Sequence, residues 1–194
     1  MTEVFAKQDL ISAEKQRKKV LIIYFITLAV FLVASVLFVI WNSNLPYKSN
    51  LIYLVKVLHY LLVALYIGFT FVYFGIIYKR INRYYKLINN VFTGIKEENT
   101  AEFIKTDLST ADKDGVDCHS LVFLEYNKYK KDFFERKVLV LAEKPIPEIE
   151  KNGYVKFITQ GNVLVSYEIL PNKITLTEDL KIKYDKKMKT LLSK

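Results

Sequence analysis

Glycine, cysteine and histidine are scarce in this sequence, and each scarcity removes a class of chemistry. The six glycines, Gly68, Gly75, Gly94, Gly115, Gly153 and Gly161, never fall into a Gly-x-Gly or Walker-type spacing. The usual backbone cradles for phosphate are missing, and nucleotide hydrolysis is not expected. His59 lies in a long apolar run, so a soluble zinc site would have only Cys118 and His119 to draw on, too few for the usual four ligands. No metal and no cofactor is expected. A lone Cys118 cannot form an intramolecular disulfide, which agrees with a reducing compartment.

The run Asp117-Cys118-His119-Ser120 assembles the parts of a nucleophilic site: carboxylate, thiol, imidazole and hydroxyl. In a strand, neighbouring side chains point to opposite faces, so Cys118 and His119 cannot hydrogen-bond side chain to side chain. A turn or strand start is the reading, with no catalytic residues and no enzymatic activity expected.

Charge is missing over two long stretches. Residues 20–41 carry none, and 22 residues at 1.5 Å each suffice for a hydrocarbon core about 30 Å thick. Sixteen of them are Val, Ile, Leu or Phe, so insertion is favoured by about 5–10 kcal/mol. The run is longer than a signal-peptide core and lacks a small-x-small cleavage site, so it is expected to be retained. Residues 51–78 are apolar apart from Lys56 and His59, and Lys56, near one end, can snorkel to the headgroups. The sequence predicts a transmembrane hairpin of these two spans with an external loop at 42–50.

Basic residues mark the orientation. Lys15, Arg17, Lys18 and Lys19 precede the first span, Lys79, Arg80, Arg83 and Lys86 follow the second, and the loop carries only Lys48. These eight flanking residues are the expected membrane-surface set, and the positive-inside rule puts both termini in the cytoplasm. The expected location is the plasma membrane. Along the second span, Tyr60, Ala64, Gly68, Phe71 and Gly75 share one face at 100° per residue, with Ala64, Gly68 and Gly75 small enough for close helix packing. His59, Tyr66, Thr70 and Tyr73 form a polar stripe on the opposite face. One helix thus has two packing faces and only one partner within the hairpin, so a homo-oligomer or a complex with another membrane protein is expected.

Beyond the spans the divisions are an N-terminal cytoplasmic segment at 1–19, a helical stalk at 79–98, a cytoplasmic β-rich domain at 99–180 and a basic tail at 181–194. Alternating apolar residues predict strands at 103–109, 116–126, 133–143, 154–159, 163–170 and 173–177. Asp112-Lys113-Asp114-Gly115 and Gln160-Gly161-Asn162 read as hairpin turns. In the second hairpin Val155, Phe157 and Thr159 share one face, facing Val163, Val165, Tyr167 and Ile169. Pro145 and Pro147 mark an ordered connection. The expected fold is membrane α+β: the helical hairpin followed by a small antiparallel β-barrel or sandwich, OB-like or SH3-like.

A formal net charge of +9 suggests nucleic acid, but its distribution does not. Residues 87–180 hold 12 Lys plus Arg against 16 Asp plus Glu, a net of −4, whereas 181–194 hold six Lys and one Asp. The positive charge lies where anionic lipid would be felt, and no nucleic-acid partner is expected. Tyr126, Tyr129, Phe133 and Phe134 interleave with basic residues and read as a solvated hairpin connection.

Two helices followed by a small β-domain resemble the layout of NfeD-like proteins and of the two-helix β-barrel membrane effectors of bacterial cyclic-nucleotide defence systems. Two functions are weighed, with a hydrolase using Cys118 or His119 as a third rival. The first is a non-enzymatic membrane-anchored binding or scaffold protein that presents its β-domain to a protein or small ligand. The resemblance to the defence effectors implies the second, in which the barrel senses a small anionic ligand and the helices oligomerise to disturb the bilayer.

Overall fold

The computed structural model describes residues 1–47, 49–127, 129–171 and 178–192. The chain divides into two compact units: Leu10–Tyr85, and a second that joins Met1–Asp9 to the chain from Lys86 onward. The first unit is an antiparallel helix pair. Helix α1 (Lys7–Asn44) is followed by α2 (Leu51–Val72), a π-helical turn at Tyr73–Tyr78, and α3 (Lys79–Thr93). Both Lys7–Asn44 and Leu51–Thr93 contain stretches long and apolar enough to cross a membrane, and only 6% of each apolar stretch is buried. Core helices of a soluble protein would bury far more of such a surface. Phe25, Val30, Leu37 and Phe71 are all exposed.

The second unit is a closed five-stranded barrel. Its strands are β2 (Glu97–Lys113), β3 (Val116–Asn127), β4 (Asp132–Leu141), β5 (Tyr154–Gln160) and β6 (Val163–Leu170). Antiparallel pairing joins β4 to β3, β3 to β2, β2 to β5 and β5 to β6, and a parallel pairing of Leu139 with Val163 returns β6 to β4. Alternate residues fill the interior: Ala101 and Phe103, Leu121 and Phe123, Val138 and Val140, Val155 and Phe157, with Leu164. The Phe123 and Phe157 rings meet at 4.6 Å between centroids. The predicted strand 173–177 lies outside the described residues.

Both predicted hairpin turns form, because each puts residues that tolerate positive φ at its centre. Asp114 and Gly115 sit at φ 56° and 81°, and Gly161 and Asn162 at 52° and 69°. That is the handedness a two-residue hairpin needs. Asp112 Oδ1 also accepts from the Gly115 N–H at 2.6 Å. The connection with Pro145 and Pro147 is ordered: Pro147 is buried, and Ile146 and Ile149 pack on the barrel core.

Several boundaries differ from expectation. The stalk predicted to reach residue 98 ends at Thr93, and Glu97 and Glu98 already pair with Thr159 and Ile158 of β5. The helix stops where Gly94 follows, the residue type that ends helices most readily. The β-domain therefore begins before residue 99. The expected single face on Val163, Val165, Tyr167 and Ile169 is broken by a bulge. Thr159 pairs with Leu164 but Ile158 with Ser166, so Val165 is skipped and Leu164 joins the barrel core cluster, with Val163 buried beside the turn. An extra residue reverses the facing of everything beyond it.

The start of the N-terminal segment joins the barrel. Thr2 and Glu3 form a short strand, β1, paired antiparallel with Tyr167 and Ser166 on the edge that β6 presents beyond its contact with β4. Val4 continues the pairing through its N–H to the Val165 carbonyl, 2.9 Å. Phe5 is buried with the Lys144 ammonium 5.5 Å from its ring centroid, and Lys144 Nζ bonds Asp9 Oδ2 at 2.7 Å. The same Asp9 oxygen accepts from the Ala6 N–H. Of the predicted basic tail, residues 181–192 belong to helix α4 (Glu178–Leu192), whose Tyr184 and Met188 pack on Ile104, Val122, Leu124 and Phe133, the outer face of β2–β3–β4.

Because Phe157 is wholly buried against the Phe123 ring in the barrel core, Phe157→Ala should cost about 3–5 kcal/mol. Denaturant unfolding of the full chain, followed by the β signal in circular dichroism, measures it. A loss below about 1 kcal/mol would mean that the barrel interior is not packed as described.

Candidate functional site

The barrel interior is apolar for most of its length and polar at one end. The alternation that puts Phe157, Phe123, Ala101 and Val138 inside carries on to Thr159, Glu125, Asn99, Glu97 and Arg136, so these five side chains converge beside the start of β2. Arg136 Nη1 donates to Glu125 Oε2 at 3.1 Å, and Nη2 to Glu97 Oε2 at 3.1 Å and to Thr159 Oγ1 at 3.2 Å. With its amide oxygen turned to the guanidinium, Asn99 accepts from Nη1 at 2.9 Å and donates to Glu125 Oε1 at 3.3 Å. The Phe157 ring lies beneath, 5.8 Å from the guanidinium carbon.

The Arg136 and Glu125 side chains are only 13% and 16% exposed, whereas Glu97 is 67% exposed. The inner ion pair is thus desolvated and the outer one wet. Two carboxylates against one guanidinium leave this end with a net negative charge. A shallow groove beside it, about 660 Å³, is lined by Glu97, Phe134, Glu135, Arg136, Lys137 and Asn162. It runs along the part of β4 before Leu139, where no pairing with β6 is made. Sequence reasoning missed this cluster. Its signal was a run of polar residues in phase with apolar core positions of the same strands.

In the helix pair, the polar stripe of the second helix faces the first helix. Tyr73 donates from its hydroxyl to the Val20 carbonyl at 2.8 Å and is buried, and the Tyr24 hydroxyl and Thr70 Oγ1 meet at 3.5 Å. The Tyr66 ring stacks on Phe31 at 4.1 Å and His59 on Phe38 at 5.8 Å. The opposite face is open. A Cβ added at Gly68 or at Gly75 would meet nothing within 4 Å, and Tyr60 and Phe71 are 71% and 76% exposed. Ala64 lies on that side too.

Cys118 and His119 are not brought together as a catalytic pair. Cys118 is buried, with Sγ toward the Val116 carbonyl at 3.5 Å, while His119 Nδ1 lies 3.3 Å from the Leu108 carbonyl. Burial, with the charges of Asp112 and Asp117, pushes the thiol up to about 11, the opposite of an activated nucleophile. Buried Glu102 accepts from the Tyr184 hydroxyl at 2.6 Å, and burial beside that carboxylate pushes Tyr154 up to about 12. Among the described residues no group of three or more His, Cys, Asp or Glu could hold a metal ion.

The flanking cations are mostly exposed: Lys15, Lys18 and Lys19 on α1, and Lys79, Arg80, Arg83 and Lys86 on α3. Arg17 is half-buried, its guanidinium 4.7 Å above the Tyr85 ring. Lys18 pairs with Glu14 at 2.7 Å. The chain matches no family model, no curated protein sequence and no solved structure.

Arg136→Met removes the only cation facing Glu97 and Glu125 among the described members of the cluster. It leaves the partly buried Glu125 carboxylate without its cation, with the Asn99 amide as remaining donor, and should destabilise the barrel by about 1–3 kcal/mol. Glu97→Gln, at the wet end, should cost under about 1 kcal/mol. Denaturant midpoints of the two variants check the order. The raised Cys118 and Tyr154 values give a pH dependence as well. Each group holds its proton more tightly in the fold, so its stabilisation is complete below the unfolded pKa, 9.0 and 10.0 respectively, and is lost as pH rises to about 11 and about 12. Unfolding midpoints should fall between pH 9 and 12, and Cys118→Ala should remove the part of the fall between about 9 and 10, before Tyr154 begins to contribute.

Proposed function

We propose that this chain is a non-enzymatic, membrane-anchored binding or scaffold protein. Its two apolar helices cross the plasma membrane as a hairpin, and its barrel is presented in the cytoplasm to a protein or small ligand. The observation that carries this reading is that Met1–Asp9 are built into the same unit as the barrel. Residues at both ends of the helical hairpin thus belong to one soluble body, so the two helices enter and leave the bilayer on the same side. The helices between expose long apolar surfaces that water would penalise at about 25 cal/mol per Å². The basic flanks choose the cytoplasm for that side.

The barrel is read as OB-like. Support comes from its ring, in which the first strand pairs with the second and fourth while the third meets the fifth in parallel. Five strands around a core of three Phe and several Val and Leu side chains leave no lumen, so recognition falls to the outer surface and the Arg136 end. Glu97 and Glu125 already neutralise Arg136 there, which weighs against an anion as its ligand.

One feature favours the alternative reading, an effector whose helices oligomerise and disturb the bilayer. The Ala64, Gly68 and Gly75 face is open to a further helix, from a second copy or another membrane protein. In that reading Gly68→Ile with Gly75→Ile abolishes crosslinked oligomers in native membranes.

In a Cys118→Ala background, Ser43→Cys and Ser49→Cys should label with a membrane-impermeant maleimide from outside intact cells. Thr2→Cys and Lys189→Cys should label only after lysis. Labelling of Thr2→Cys from outside would overturn the orientation. Leakage from vesicles that hold the protein, triggered by an added cyclic nucleotide, would favour the effector over the scaffold.

A further inference from the structure

On the face of α1 that runs from Ile11 to Ile23, basic and apolar side chains alternate in one groove. It has a volume of about 580 Å³ and is lined by Ile11, Glu14, Lys15, Lys18, Lys19, Ile22 and Ile23. Helical spacing of three, four, seven and eight residues puts Lys15, Lys18 and Lys19 on a common face with Ile11, Ile22 and Ile23. The lysines cap the apolar part of the helix rather than interrupt it. The second helix brings further cations to the same end. The Tyr73 hydroxyl on the Val20 carbonyl aligns the two helices, so Lys79, Arg80 and Arg83 lie within about 15 Å, along the axis, of the level that Lys15 to Lys19 approach from the other helix. All three are exposed. Across the hairpin the sequence offers only Lys48 and Lys56.

We infer that this end of the helix pair binds anionic phospholipid, the headgroup phosphate held by Lys15, Lys18 and Lys19 and the acyl chains laid along Ile22 and Ile23. The inference rests on the membrane-spanning reading above and adds the class of lipid to it. A free phosphate would satisfy the lysines but make no use of the apolar wall that Ile22 and Ile23 add to the same groove. An amphiphile with a negative head satisfies both. Glu14 takes a share of the Lys18 charge through the 2.7 Å ion pair, so its removal should tighten the site.

The test uses the full chain in nanodiscs of phosphatidylcholine, with phosphatidylglycerol as the competing lipid and bound lipid measured by native mass spectrometry. The wild type should retain phosphatidylglycerol in preference to phosphatidylcholine. Lys15→Gln, Lys18→Gln and Lys19→Gln together should lower that preference by about 100-fold, from roughly tenfold or less per lysine. Glu14→Gln should raise it and Lys56→Gln, at the other end, should leave it unchanged. Equal retention of the two lipids by a wild-type protein that does insert would overturn the inference and leave the membrane reading standing. Failure to insert into phosphatidylcholine at all would sink both. If inorganic phosphate displaces phosphatidylglycerol at millimolar concentration, the site is one for free anion, and the lipid assignment is wrong.

Discussion

The parallel pairing of Leu139 with Val163 closes the barrel, and most of the second unit depends on it. Without it, the five strands would form an open sheet with β4 and β6 as free edges, the arrangement that invites pairing with other chains. Closure brings Phe103, Phe123 and Phe157 together in one interior and brings Arg136 to Asn99 and Thr159. The adjacent strands β3 and β4 bring Glu125 to Arg136 by themselves, and the curling of the sheet into a ring adds Thr159 from β5, which is not paired with β4.

The closure is incomplete along its length, and the chain uses the remainder. Beyond Val163, β6 leaves β4 and its edge is taken by Thr2, Glu3 and Val4 from the N-terminus. Before Leu139, β4 keeps an edge beside the groove that Phe134 and Lys137 line. The first part is covered by a segment that must return from the far end of the sequence. Phe5 under Lys144, and Asp9 bonded to it, hold that segment in place. A partly buried ion pair and a buried ring at one point make the return specific as well as favourable.

In the helix pair, the two faces of the second helix are used unequally. Tyr73, Thr70, Tyr66 and His59 turn to the first helix, where the Tyr73 and Thr70 hydroxyls find a carbonyl or another hydroxyl and the Tyr66 and His59 rings stack. Turning the Gly68 and Gly75 side inward would allow closer backbones but would leave those hydroxyls facing apolar surroundings, where an unbonded polar group costs more than loose packing. The open small-residue face is a consequence of that choice.

The sequence by itself determined the elements whose signal is local. The charge-free run 20–41 specified a long apolar helix, and alternation specified five strands to within a few residues, apart from the first six residues of β2. Asp114-Gly115 and Gly161-Asn162 specified turns because few residues tolerate positive φ. Only the tertiary structure decided what depends on long-range pairing. The bulge at Val165 follows from the register with β5. The strand at Thr2–Glu3 is too short for any periodicity and exists because β6 leaves an edge free. The Arg136 cluster escaped notice because its members lie as far apart as Glu97 and Thr159, and each alone reads as a solvated charge or hydroxyl at a strand end. Local sequence encodes backbone preference and facing; which distant residues meet is settled by how the sheet closes, and that is a property of the whole chain.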